Sequence, residues 1–145
     1  KPLTFLCPSL SNIAQYAVVR DGAYRIMRRL IPGPYTFLLP ATKLVPRLVM
    51  NPKRKTTGIR VPEHTVCHAL LAELETPIIS TSPKQSQPTS RFELFDALDK
   101  LVDVIVDADE DPRYQVSTII DFTTEEPLVL RKGLGWEAVE QFVAE

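Results

Sequence analysis

Apolar positions recur along this chain with two periods, and the change from one to the other marks its elements. Thr4–Cys7 is a short, continuous apolar run and predicts a buried strand. Ser9 or Ser11 can cap a helix carrying Ile13, Ala14 and Ala17. Asp21 is placed to cap a second helix, "GAYRIMRRL", with Ile26, Met27 and Leu30 on its apolar side. Pro32, Gly33 and Pro34 end that helix, and the aromatic, apolar stretch Tyr35–Leu39 predicts a strand. "KLVPRLVM" predicts a short helix or turn interrupted by Pro46, and Thr57–Val61 the next strand.

Helical spacing returns over His64–Leu74, with Val66, Cys67, Leu70, Leu71 and Leu74 aimed at a core. Pro77–Thr81 predicts a short strand, followed by the polar loop Ser82–Ser90 with two prolines. A loop of that length directly after a strand end is more often functional than decorative. Phe92–Leu101 is amphipathic, Val102–Val106 and Ser117–Phe122 predict strands, and "PLVLRKG" leads into a helix from Trp136 to Val143. Strands alternating with helices, some joined by short connections, predict one α/β domain over residues 1–145 with a mixed sheet.

Composition alters this picture little. The 145 residues suit a single core, and 44% hydrophobic with 24% charged residues is ordinary for a globular chain. No apolar run reaches membrane-spanning length and no signal-peptide pattern opens the chain, so a cytoplasmic protein without a membrane partner is expected. Cys7 and Cys67 stand far apart among apolar residues, which favours buried free thiols over a disulfide. The chain enters at Lys1 directly on a strand, and sequence upstream of it is expected.

Charge alters the picture more. Residues 1–60 hold 11 Lys and Arg against Asp21 alone, while the acids concentrate after residue 60. Either the chain has a face that attracts anions, or the two halves interleave and cancel locally. Arg25, Arg28 and Arg29 on the second helix belong to this excess, and a solvated helix face is their simplest reading.

Neither GxxxxGK[ST] nor GxGxxG is present, so the common phosphate loops are absent. His64 and His68 lie four apart on a helix without a partnering Glu or Cys, and no metal site is assigned. No catalytic nucleophile is legible. What remains is a set of polar residues at strand ends: Thr56, Arg60, Ser80, Ser82, Ser117, Thr118 and Arg131. Ligands of open α/β sheets sit at strand ends, and two guanidinium forks with hydroxyls suit a phosphate or carboxylate. Strand alternation places Ile59 and Val61 toward the core, with Gly58 and Arg60 opposite. The missing side chain at Gly58 leaves that side open for a ligand to approach Arg60.

The ordered segments "KPLTFL", "PGPYTFLLPAT", "TTGIRVPEH", "PIISTS", "STIIDFT" and "LRKG" resemble the YrdC-like family of threonylcarbamoyl-AMP synthases, especially its YciO-like branch. The resemblance runs from Lys1 to about Gly135. It implies a YrdC-like twisted mixed sheet flanked by helices, with a basic concave cavity. It also implies condensation of L-threonine, bicarbonate and ATP to threonylcarbamoyl-adenylate, for transfer of the threonylcarbamoyl group to a tRNA adenosine. Magnesium is expected with the ATP.

By motif, the resemblance assigns Lys1, Arg60, Ser80 and Ser117 to substrate binding, and Thr56, Ser82 and Arg131 to ATP. Two departures matter. The family's upstream Lys-x-Arg pair would precede Lys1, so the chain as given is expected to be catalytically incomplete. Where the synthases carry Ser-Ala-Asn, this chain reads "TSPKQS", which points to the YciO-like branch. Two functions therefore stand: a synthase-like nucleotidyltransferase, or a tRNA- or double-stranded-RNA-binding protein without that reaction. In the second, Arg25, Arg28, Arg29, Lys53, Arg54 and Lys55 would contact phosphate.

Overall fold

The computed structural model describes residues 3–81, 90–113 and 115–142. They fall into two compact units, one containing the sheet and the other covering residues 82–115. In the first, β1 (Thr4–Leu6) leads to α1 (Leu10–Tyr16), which Ser9 caps: its Oγ accepts from the Asn12 N–H at 3.2 Å. α2 (Asp21–Leu30) follows. Asp21 is its first residue rather than its cap, which is Arg20, so the carboxylate acts on the helix dipole from within the first turn.

β2 (Tyr35–Pro40), a 3-10 turn at Arg47–Val49, β3 (Met50–Asn51) and β4 (Thr56–Arg60) come next. The expected helix-or-turn around Pro46 is thus a single 3-10 turn that runs straight into a two-residue strand. α3 (Thr65–Leu74) starts at His64, whose Nδ1 accepts from the Val66 N–H at 3.2 Å. β5 (Ile78–Ser80), β6 (Thr118–Asp121), β7 (Leu128–Arg131) and a short helix at Trp136–Val139 complete this unit.

The seven strands form one mixed sheet in the order β5-β1-β4-β2-β6-β7, with β3 also paired to β4. β1 and β4 run parallel, as do β2 and β6, and the other pairs are antiparallel. Register aligns Phe5, Ile59, Phe37 and Ile120 across four adjacent strands. All four are buried, and with Ile13, Met27 and Leu30 they form the core, so α1 and α2 cover this face. Each such side chain removed from water contributes about 1.5–3 kcal/mol. Thr57, also on this side, keeps its hydroxyl satisfied by donating to the Val49 carbonyl at 2.8 Å. Cys7 and Cys67 are free thiols; Cys7 is buried, and burial pushes its thiol up to about 12.

The second unit contains α4 (Arg91–Leu98), capped by Ser90, whose Oγ accepts from the Glu93 N–H at 3.2 Å. The strand expected at Val102–Val106 is not formed; Val104 is 75% exposed. Its alternation suits a strand, but no second strand exists among this unit's described residues to pair with its backbone groups.

Gly133, between β7 and the last helix, is tied down from both sides. Its N–H donates to Thr118 Oγ1 at 3.0 Å, and that hydroxyl donates to the Leu134 carbonyl at 2.7 Å. A Cβ at Gly133 would overlap the carbonyl oxygens of Val116 and Ser117. Gly133→Ala is expected to cost about 1–3 kcal/mol through forced backbone movement. A lowered urea midpoint with unchanged slope checks it.

Candidate functional site

Alternation along β4 places Thr57, Ile59 and Val61 in the core, so Thr56, Gly58 and Arg60 emerge on the opposite face. Cross-strand register then assembles that face. Thr4 lies beside Gly58 on one side and beside Ser80 on the other, and Leu38 flanks Gly58 from β2. Arg131 pairs with Ile119, two residues beyond Ser117. Thr56, Arg60, Ser80, Ser117 and Arg131 thus share one side of the sheet. Lys1 and Ser82, assigned with them from the sequence, lie outside the described residues.

Within the face the five are not equally close. Thr56 and Arg60 are four residues apart on one strand, about 13 Å, and Ser80 lies two strands from β4, about 10 Å. The tight cluster is at the Arg60 end. Arg131 donates from Nε to the Ser117 carbonyl at 2.9 Å and from Nη2 to Ser117 Oγ at 3.0 Å. Ser117 Oγ also shares a proton with Thr36 Oγ1 at 2.8 Å, both residues being buried. This second hydroxyl escaped sequence reasoning. The only local signal was a threonine between two aromatics in an apolar strand.

Arg60 is half-buried, and its Nε is buried without a hydrogen-bond partner. Burial pushes its guanidinium below the ordinary value; nearby Cys67 opposes that shift and Arg131 adds to it. The guanidinium still keeps its proton, as arginines in proteins do. Arg60 and Arg131 thus lie on the same face of the sheet, and among the described residues no ion pair neutralises either.

The donor count sharpens this. Ser117 Oγ accepts from Arg131, and one hydroxyl proton is consumed between Ser117 and Thr36. The other hydroxyl proton is left over, together with Arg60 Nε–H. The cluster offers donors and positive charge, and so fits a carboxylate or phosphate.

The other basic residues lie elsewhere. Arg25, Arg28 and Arg29 belong to α2, on the core side of the sheet, and line a cavity of about 640 Å³ with Ile26 and Phe142. Arg28 lies over Tyr24 at 5.9 Å and Arg29 over Phe142 at 5.3 Å. Lys53, Arg54 and Lys55 form the β3–β4 turn, where Asn51 Oδ1 accepts from the Lys53 and Arg54 N–H groups at 3.0 and 3.1 Å. Arg54 is already engaged, with Nη2 at 3.5 Å from buried Asp121 Oδ2 and 3.2 Å from Thr123 Oγ1. The six residues grouped by charge are thus divided between a helix and a turn.

Known proteins resemble this chain in sequence and fold. The family model of Sua5, YciO and YrdC, described as "Telomere recombination", matches residues 1–133. The chain belongs to this family. Members similar to it include "Uncharacterized protein YciO" of Escherichia coli strain K12, 40% identical over 91% of this chain and 66% of that protein. The threonylcarbamoyl-AMP synthase of Pyrococcus abyssi is 30% identical over 88% of this chain and 38% of its own length. Among family structures, that of E. coli YciO superposes with a TM-score of 0.87 at 38% identity, over 98% of this chain and 69% of that one. The P. abyssi Sua5 complex with L-threonine gives 0.86 at 29% identity, over all of this chain and 44% of that one. The chain spans 66% of the length of the YciO protein it matches.

The Ser117 cluster makes an ordered pair of outcomes. Thr36→Val removes one hydroxyl and leaves Ser117 held by Arg131, for an expected loss of about 1 kcal/mol. Ser117→Ala strands both the Thr36 hydroxyl and Arg131 Nη2, for about 1–3 kcal/mol. Urea unfolding of the two variants should rank them in that order.

Proposed function

We propose that this chain carries the substrate face of a threonylcarbamoyl-AMP-synthase-like protein, with Arg60, Arg131 and Ser117 binding L-threonine and nucleotide. The observation that carries this reading is that, among the described residues, Arg60 and Arg131 on this face have no ion-pair partner and Arg60 Nε–H is buried without a hydrogen-bond partner. The synthase name of the P. abyssi relative and the L-threonine complex of its structural counterpart support it. Ser80 extends the amino-acid side and Thr56 the nucleotide side; Lys1 and Ser82, given these roles by the resemblance, lie outside the described residues.

In the reaction, the L-threonine amine and bicarbonate form a carbamate with loss of water. A carbamate oxygen then attacks the α-phosphorus of ATP, and pyrophosphate leaves. No protein nucleophile takes part. Fixed guanidinium and hydroxyl donors stabilise the charge developing on phosphorus and carboxylate. Holding the reactants together supplies orientation. Among the described residues no three His, Cys, Asp or Glu side chains converge on a metal position. Magnesium enters this reading as the companion of the ATP phosphates. No helix among the described residues is long and apolar enough to cross a membrane.

Calorimetry of the intact protein should show L-threonine binding, weakened roughly 10- to 100-fold in Arg60→Ala as a charge-assisted bond is lost. Arg60→Lys should restore it only in part, because an ammonium lacks the planar fork. Absence of L-threonine binding, or an unchanged affinity in Arg60→Ala, would overturn the reading. Threonine-dependent ATP–pyrophosphate exchange measures the reaction itself.

A second reading, RNA binding, has its own observation in the arginine-lined cavity on α2, with Tyr24 and Phe142 against two of its guanidiniums. Replacing Arg25, Arg28 and Arg29 together by Ala should weaken affinity for double-stranded RNA. It should also flatten the slope of log affinity against log salt by about 2–3. An unchanged slope removes these residues from any RNA interface.

A further inference from the structure

Gly58 occupies the interior of a central strand, where glycine costs about 0.5–1 kcal/mol relative to alanine. Two structural demands usually justify such a residue, and neither operates here. Its backbone does not adopt the left-handed region; Gly135 is the positive-φ glycine of the described residues. Nor is space short. A Cβ at Gly58 would meet Leu38 Cδ2 at 3.5 Å, Thr36 Cγ2 at 3.6 Å and Thr4 Cγ2 at 3.9 Å, all ordinary van der Waals contacts. At Gly33 and Gly133, by contrast, an added Cβ would overlap backbone oxygen. The fold has room for alanine at Gly58 and leaves that room empty.

The empty space has definite walls and a definite neighbour. Three side-chain methyls surround it, one from β1 and two from β2, the strands that flank β4. Arg60 is the next residue outward on the same strand and face, about 7 Å away. Thr36 contributes both to the wall, through Cγ2, and to the anion cluster, through its hydroxyl on Ser117. An apolar recess one methyl deep thus adjoins a set of charged donors on a single sheet face.

We propose that this recess is the specificity pocket of the site: it seats the small uncharged side chain of the amino acid whose carboxylate Arg60 and Arg131 hold. Gly58 is then a specificity-determining residue, and Thr36 couples the recess to the orientation of Ser117. The inference rests on the amino-acid reading given under Proposed function, and adds to it a size limit set at one residue.

Adding one methyl should fill the recess without disturbing the sheet. Gly58→Ala in the intact protein is expected to melt at or above the wild-type temperature. Its affinity for L-threonine should fall at least tenfold, in the range a single methylene in an apolar pocket can decide. Affinity for glycine, which has no side chain to seat, should change less than twofold, so the threonine-to-glycine preference collapses. Thr36→Ser is the complementary variant, since it removes one wall methyl and keeps the hydroxyl on Ser117. It should reduce the same preference severalfold with glycine binding retained. Wild-type preference for L-threonine in both variants would overturn the proposal, as would a Gly58→Ala protein that fails to fold. If the wild-type protein itself does not bind L-threonine, the amino-acid reading fails first and the recess loses its ligand.

Discussion

A guanidinium mounted on a central strand is the constraint that the rest of this structure accommodates. β4 lies between β1 and β2, so Arg60 has no sheet edge from which to escape into water. Its neighbours Ile59 and Val61 are buried in the core on the other side. A slip of one residue would drive the charge into that core and expose both apolar side chains, so register is held strongly here. The position of Arg60 is thereby as rigid as the core itself.

Around that cation, the sheet treats its arginines in two ways. Arg54 is neutralised by buried Asp121, and the pair fastens the β3–β4 turn to the end of β6. Arg131 is oriented by Ser117, and among the described residues its partners are a carbonyl and a hydroxyl, which carry no charge. One arrangement closes a structure, and the other keeps a charge available at fixed geometry. The difference lies in the acceptor, a carboxylate in one case and uncharged oxygens in the other.

Sequence patterns reached whichever features depend on near neighbours. The alternation Thr56 to Val61 placed Arg60 and Gly58 on one face, and the serine before α1 marked its cap, because both effects act over a few residues. Val102–Val106 shows where this stops: its alternation is strand-like, but a strand also needs a partner that the pattern does not supply. Thr36 shows the same limit within the site. Its contact with Ser117 spans 81 residues and exists only through the parallel register of β2 and β6. Charge counting works on another scale: it joins the arginines of α2 with Lys53–Lys55 of the β3–β4 turn, because a count carries no position.

The strand order also governs how this protein comes off the ribosome. β6 inserts between β2 and β7, so the edge of β2 next to Phe37 and Leu39 stays unsatisfied until residue 121 has been synthesised. Parallel pairing across so long a separation is slow to form, and an uncovered apolar edge invites association with other chains meanwhile. Ser117 reaches Thr36 only when that gap is filled. The Thr36–Ser117–Arg131 cluster is therefore among the last parts of the nascent sheet to mature, and any ligand of this face would act late, as a clasp on the finished fold.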